Sequence, residues 1–256
     1  MLTRLLAHPA TKGLDLDAPE TTTLRRDIVL SKPFLRAVYE EWYQLIIDRL
    51  PEGGGDVLEI GAGSGFFGDF FPDAITSDVF PVDGVDRVID ARELPFADSS
   101  LRAIVMTNTL HHIPDVGRFL AEAERCLRPS GRIIAIEPWN TRWSQLVHER
   151  FHTEPWRPDA EDWSFPESGP LSGANAPLAW IVTVRDRDRL AGDFPDLIVV
   201  ETTPFMPFRY LASGGVSLRS LQPGWMYGAW KRLDELGPLR RRFAVFAVVV
   251  LERVDT

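Results

Sequence analysis

Between residues 57 and 67 the apolar run Val57-Leu58-Glu59-Ile60 breaks into Gly61-Ala62-Gly63-Ser64-Gly65 and resumes as Phe66-Phe67. Those residue types read as a buried strand, a glycine turn and the entry to a helix. Glycine lacks Cβ, so the chain turns sharply and a ligand can touch its backbone. The free N–H groups of the helix start then face whatever lies over the turn. This is a nucleotide-type cofactor site at the carboxyl end of a first strand. A second group of chemically able residues is His111, His112, Glu137, His148 and His152. His148 and His152 stand one helical turn apart, the spacing of two metal ligands. No matching Glu-x-x-His partner set accompanies them, so no metal is expected.

The elements that position these residues alternate. A helix is expected over 31–50, with Ser31 as its cap and Pro33 in its first turn. Strands follow at 57–60, 74–77, 85–89, 101–107 and 132–136, separated by helices at 64–71 and 114–127. In the latter, Val116, Phe119, Leu120, Ala123 and Leu127 share one face. Short apolar runs between amphipathic helices predict a mostly parallel sheet covered on both faces. Later strands at 197–202 and 243–251 predict an antiparallel edge. The expected architecture is α/β, Rossmann-like and seven-stranded, with an antiparallel last strand. Its segments are a helical cap (1–50), a cofactor core (51–138), an insertion or lid (139–195), and C-terminal strands with a substrate-side loop (196–256). Residues 1–23 are expected to be loosely held.

Composition narrows the function. The chain has 256 residues and a formal net charge of -9. An acidic balance disfavours nucleic acid as a partner, since such binders carry a basic surplus. Cys126 is the only cysteine, so no internal disulfide forms, which fits a reducing, cytoplasmic setting. No apolar run is long enough for a transmembrane helix; peripheral membrane contact and oligomeric state are left open.

Five segments, in order, carry a family resemblance: Val57 to Gly65; Asp78 after the second strand; Asp90-Ala91 before Leu94-Pro95-Phe96; Asn108-Thr109-Leu110-His111-His112-Ile113; and Leu127-Arg128-Pro129-Ser130-Gly131-Arg132. Residues 57–138 closely resemble the class I S-adenosylmethionine-dependent methyltransferases of the type 11 group. The resemblance implies S-adenosyl-L-methionine as cofactor. It implies that Glu59 holds the methionine ammonium, and that Gly61, Ala62, Gly63, Ser64, Gly65 and Phe66 form the turn under the methionine and ribose. Asp78 would accept both ribose hydroxyls, with Val79 beside it. Asp90 and the Ala91 N–H would meet the adenine, and Asn108 the methionine end. One departure is the short segment Val79-Phe80-Pro81-Val82-Asp83-Gly84, where a helix is usual; Val79 and Phe80 are expected to form the adenine wall instead.

Methyl transfer from a sulfonium is an in-line displacement, so the protein mainly aligns nucleophile, methyl and sulfur. An oxygen or nitrogen nucleophile also needs a base, for which His112, with His111, is the candidate. Tyr39, Trp42, Tyr43, Trp139, Trp143 and His152 are expected to line the acceptor pocket. The expected acceptor is a small or medium-sized molecule, an oxygen nucleophile on a glycan, lipid-linked or natural-product substrate. The segment 207–215 reads as a binding loop. Two other readings stay open. Gly63-x-Gly65-x-x-Gly68 with Asp78 also matches a dinucleotide fingerprint, hence an NAD-type oxidoreductase; the same turn would also serve a non-catalytic module that binds S-adenosylmethionine.

Overall fold

A computed structural model describes residues 8, 14–15, 17–152, 154–169, 171–220 and 222–254. Two helices open the described chain, α1 (Pro19–Ser31) and α2 (Pro33–Ile47). The sheet begins with β1 (Asp56–Ile60), α3 (Phe67–Phe70), β2 (Ala74–Asp78), β3 (Arg87–Val88) and β4 (Leu101–Thr107). A 3₁₀ turn at Leu110–His112 precedes α4 (Val116–Cys126), β5 (Leu127–Pro138) and α5 (Arg142–Phe151). After a long loop come α6 (Leu178–Trp180), continued as a wide helical turn to Arg185, then α7 (Arg187–Asp193) and β6 (Leu197–Phe205). The chain ends with α8 (Arg209–Ser213), α9 (Tyr227–Asp234), α10 (Gly237–Arg242) and β7 (Phe246–Arg253).

The seven strands lie in the order β3-β2-β1-β4-β5-β7-β6. The first five run parallel, and β7 runs antiparallel between β5 and β6. Chain order reverses at β1 and β4, where an open α/β sheet leaves a crevice at its carboxyl edge. Side chains alternate across the sheet. Leu58, Ile104 and Met106 face α4 and α6 with Phe119, Leu120 and Leu178. Val57, Ala103 and Val105 face α2 and α8 with Phe34, Trp42 and Tyr210.

Local chemistry moves several expected boundaries. Of residues 1–23, expected to be loosely held, 19–23 form the first turns of α1, and 1–7, 9–13 and 16 lie outside the described residues. Ser31 ends α1 instead of capping α2, whose cap position is Lys32. Lys32 is buried, and its ammonium donates to the Gly215 and Leu218 carbonyls. Burial pushes the Lys32 amine down to about 8. The helix expected over 64–71 shrinks to the single turn of α3. Gly65 N–H turns back to the Ala62 carbonyl (2.7 Å), and the Tyr43 hydroxyl accepts from Phe66 N–H (2.8 Å). The short β2–β3 connection is present as expected, closed by Thr76 N–H and hydroxyl on the Asp86 carboxylate (2.9 and 2.8 Å).

Three of the aromatic assignments fail on direction. Trp42 is wholly buried between Tyr210 and Phe246. Trp139 joins the core around Trp163, and Trp143 donates to the Pro207 carbonyl (3.0 Å). None of the three lines the cavity described below. The 207–215 segment is also largely structural. Arg209 is buried, forked onto Glu41 (2.7 and 2.9 Å) and bonded to Asp234 (2.9 Å). The Arg240-Arg241-Arg242 run forms the last turn of α10, leading into β7. Among the described residues no helix is long and apolar enough to cross a membrane.

Candidate active site

The carboxyl ends of β1, β2, β4 and β5 open into one cavity of about 620 Å³, roofed by α1, α5 and the loop after it. Its floor is the glycine turn. Gly61 sits at φ +71°, and a Cβ there would meet the Thr109 side chain at 2.4 Å. Gly61→Ala is therefore expected to cost about 2–4 kcal/mol, combining the left-handed backbone with overpacking. Urea unfolding checks this, and an unchanged midpoint would contradict it.

The acids expected at the cofactor site meet here. Asp78 accepts from Gly63 N–H (3.0 Å) and Val79 N–H (2.7 Å), and burial nonetheless raises its pKa. Glu59 is buried 3 % exposed at the end of β1. Burial and the neighbouring Asp78 push its carboxyl up to about 8. Asp90 faces the cavity but is clasped by Arg92 (2.7 Å), which holds its pKa below the usual carboxylate range. Gly61, Ala62, Gly63, Ser64, Gly65, Val79, Phe80, Ala91 and Asn108 all line the cavity; Phe66 stands behind it. Asn108 has φ +56°, the strained backbone that often marks functional turns.

A buried carboxylate fixes that turn. Glu137, wholly buried at the end of β5, accepts from Thr109 N–H and Leu110 N–H, both at 2.8 Å, with one oxygen. Its other oxygen holds His111 Nδ1 at 2.6 Å. Burial opposes a charge on His111, but Glu137 and Glu154 outweigh it and raise His111 to about 10. His111 is thus a cation at neutral pH, unsuited to accept a proton. His112 differs: burial and the adjacent His111 lower it to about 4, so it is neutral. Its Nδ1 lies 2.9 Å from the Gly173 carbonyl, which fixes Nδ1–H and leaves Nε2 as the acceptor.

The lid side contributes His148, His152 and Glu154, with Tyr39, Tyr43, Tyr210 and Phe246 across the cavity. Asp17 bonds Leu171 N–H (2.8 Å) and Ser172 N–H (2.9 Å), tying the start of α1 to the lid loop above the site. Glu154, Thr22 and Arg25 were not anticipated from sequence, whereas Tyr210 comes from the 207–215 segment expected to be a binding loop. Glu154 had a signal, two residues after His152. The polar helix α1 offered none.

Comparison with known proteins agrees with this geometry. Residues 58–135 match a methyltransferase-domain family. That segment, about a third of the chain, is similar to the class I S-adenosylmethionine-dependent methyltransferases. A curated methyltransferase relative, the ubiquinone/menaquinone biosynthesis C-methyltransferase UbiE of Desulfotalea psychrophila, is 27% identical over 117 residues, 38% of this chain and 48% of that protein. The 27-O-demethylrifamycin SV methyltransferase of Amycolatopsis mediterranei is 40% identical over 58 residues, 21% of each chain. The chain thus spans less than half the length of the curated relatives it matches. A methyltransferase fold covers nearly all of it: the geranyl diphosphate C-methyltransferase of Streptomyces coelicolor A3(2), determined with Mg2+, geranyl diphosphate and S-adenosyl-L-homocysteine, superposes with a TM-score of 0.53 at 13% identity, over 97% of this chain and 88% of that one.

Proposed function

We propose that this chain carries a methyl group from S-adenosylmethionine to a small or medium-sized acceptor in the outer part of the same cavity. The observation that carries the reading is the convergence of Glu59, Asp78 and the glycine turn on one side of the cavity and the His112 edge on the other. Glu59 would take the methionine ammonium, and Asp78 the ribose diol. A carboxylate has two acceptor oxygens for two hydroxyls. Asp90 would turn from Arg92 to the adenine amino group. The sulfonium would supply an electrophilic methyl.

The finer reading is an oxygen nucleophile. Neutral His112 with a free Nε2 suits removal of a hydroxyl proton as the methyl arrives. Tyr39, Tyr43 and His152, with Tyr210 and Phe246, would hold the body of the acceptor against flat aromatic faces. The side chain of Arg25 lines the cavity without a hydrogen bond or ion pair among the described residues, and would meet an anionic or polar acceptor group. A glycan, lipid-linked or natural-product acceptor fits that lining, as would the quinone ring that the UbiE name implies for that relative.

Calorimetric titration tests the cofactor. S-adenosylmethionine and S-adenosylhomocysteine should bind at micromolar concentration, NAD should not, and Asp78→Ala should weaken binding at least roughly 100-fold, as loss of buried charged hydrogen bonds does. Folded protein that binds neither sulfur compound would remove the reading. With turnover in hand, Tyr39→Ala should raise the acceptor KM and leave cofactor affinity intact.

A further inference from the structure

Three imidazoles close on one carboxylate at the lid side of the cavity. Glu154 Oε2 stands 3.6 Å from His111 Nε2 and 3.8 Å from His148 Nε2, and Oε1 stands 3.9 Å from His112 Nε2. These separations are too long for hydrogen bonds. His148 is 3 % exposed, and neither of its ring nitrogens has a hydrogen-bond partner among the described residues. An unpaired buried polar ring is costly, so its presence asks for a ligand. His152 lies one helical turn beyond His148, its ring stacked on that of His148 with centroids 4.6 Å apart. One ligand atom each from His148, His152 and Glu154 lie within 4.8 Å of one another.

We propose that His148, His152 and Glu154 form a divalent transition-metal site facing the cavity. Two ligand atoms each about 2.1 Å from a tetrahedral ion stand roughly 3.4 Å apart, so closing the set needs only small side-chain movements. Two imidazoles and one carboxylate select an ion of the zinc or ferrous type; magnesium and calcium prefer oxygen donors. All three residues line the cavity, so an open coordination position faces the acceptor space. His111 and His112 approach the same carboxylate. Their Nδ1 atoms are held by Glu137 and the Gly173 carbonyl, which orients both rings toward Glu154. The expectation of no metal came from seeking a Glu-x-x-His partner; the third ligand instead follows His152 by two residues. If methyl transfer is the activity, an ion here would bind and acidify an acceptor hydroxyl, a role resting on that reading; the site itself does not.

The test uses the full chain stripped with chelator, titrated with Zn2+ by calorimetry and with Co2+ by visible absorption. The expected result is saturable binding of about one ion per chain, weakened at least roughly 100-fold by His148→Ala and by Glu154→Ala. His8→Gln should leave it unchanged. The absence of saturable binding by folded wild-type protein overturns the site, and so does binding that survives both substitutions. Titrating the same samples with S-adenosylmethionine separates the two ideas. Cofactor binding without metal binding sinks the metal site alone, whereas metal binding without cofactor binding supports the site and removes the methyl-transfer reading.

Discussion

Glu137→Ala is expected to lower the unfolding free energy by about 3–5 kcal/mol, the usual cost of breaking a buried ion pair. The carboxylate is wholly buried and serves three donors at once: Thr109 N–H, Leu110 N–H and His111 Nδ1. Alanine leaves two backbone N–H groups without acceptors and a buried imidazolium facing only Glu154. Neighbouring bonds do not replace it. Asn108 N–H goes to the Ile136 carbonyl (2.8 Å), and the His111 carbonyl accepts from Asn175 N–H (2.9 Å). Both hold the ends of the turn and leave its middle unpaired. For a chain of this size the loss corresponds to a Tm lowered by roughly 6–9 °C. Glu137→Gln should cost less, about 1–3 kcal/mol, since its amide oxygen can still serve the two N–H groups while its NH2 must face His111. Chemical denaturation measures both. An alanine variant within about 1 kcal/mol of wild type would show that the turn does not depend on this carboxylate.

This keystone marks the boundary of what the sequence made legible. Strands β1, β2 and β4 were readable because each is a short apolar run closed by a glycine, an acid or a turn. The acids Glu59, Asp78 and Asp90 were named by the family resemblance; the first two end the buried strands β1 and β2, and Asp90 follows the short, exposed β3. Glu137 also ends a strand, but nothing in its neighbours shows that it turns under the β4 loop. Side-chain direction was the weak point. Tyr39, Trp42 and Tyr43 lie within five residues on α2, yet a helix sends them to different places. Trp42 follows Val38 toward the sheet, while Tyr39 and Tyr43, four apart, reach the cavity. Proximity to the active-site mouth in sequence therefore said little about which aromatic would line it. Within the expected helical cap, the helix α1 was missed for another reason. α1 carries Thr21-Thr22-Thr23, poor helix formers, and is held by tertiary contacts instead of its own propensity.

Cofactor affinity should rise with pH toward about 8, a consequence of Glu59. In the empty protein, burial and the nearby Asp78 hold this carboxyl protonated up to about 8. A carboxylic acid gives an ammonium group little to bind, so the complex requires the ionised form. Below pH 8 each binding event must first remove a proton. The apparent affinity therefore falls by up to roughly tenfold for every pH unit below that point. At higher pH the ligand's own α-amino group loses its proton and the profile turns down. Asp78 has a raised pKa too, so Glu59→Gln is needed to separate the two acids. The glutamine variant should bind weakly throughout, and its remaining pH slope should report Asp78 alone. Titrations at several pH values, in buffers of different ionisation enthalpy, also count the protons released. Wild-type affinity that stays flat from pH 6 to 8, with no proton release, would mean that Glu59 is already ionised or does not meet the ammonium, and its place in the cofactor site would have to be given up.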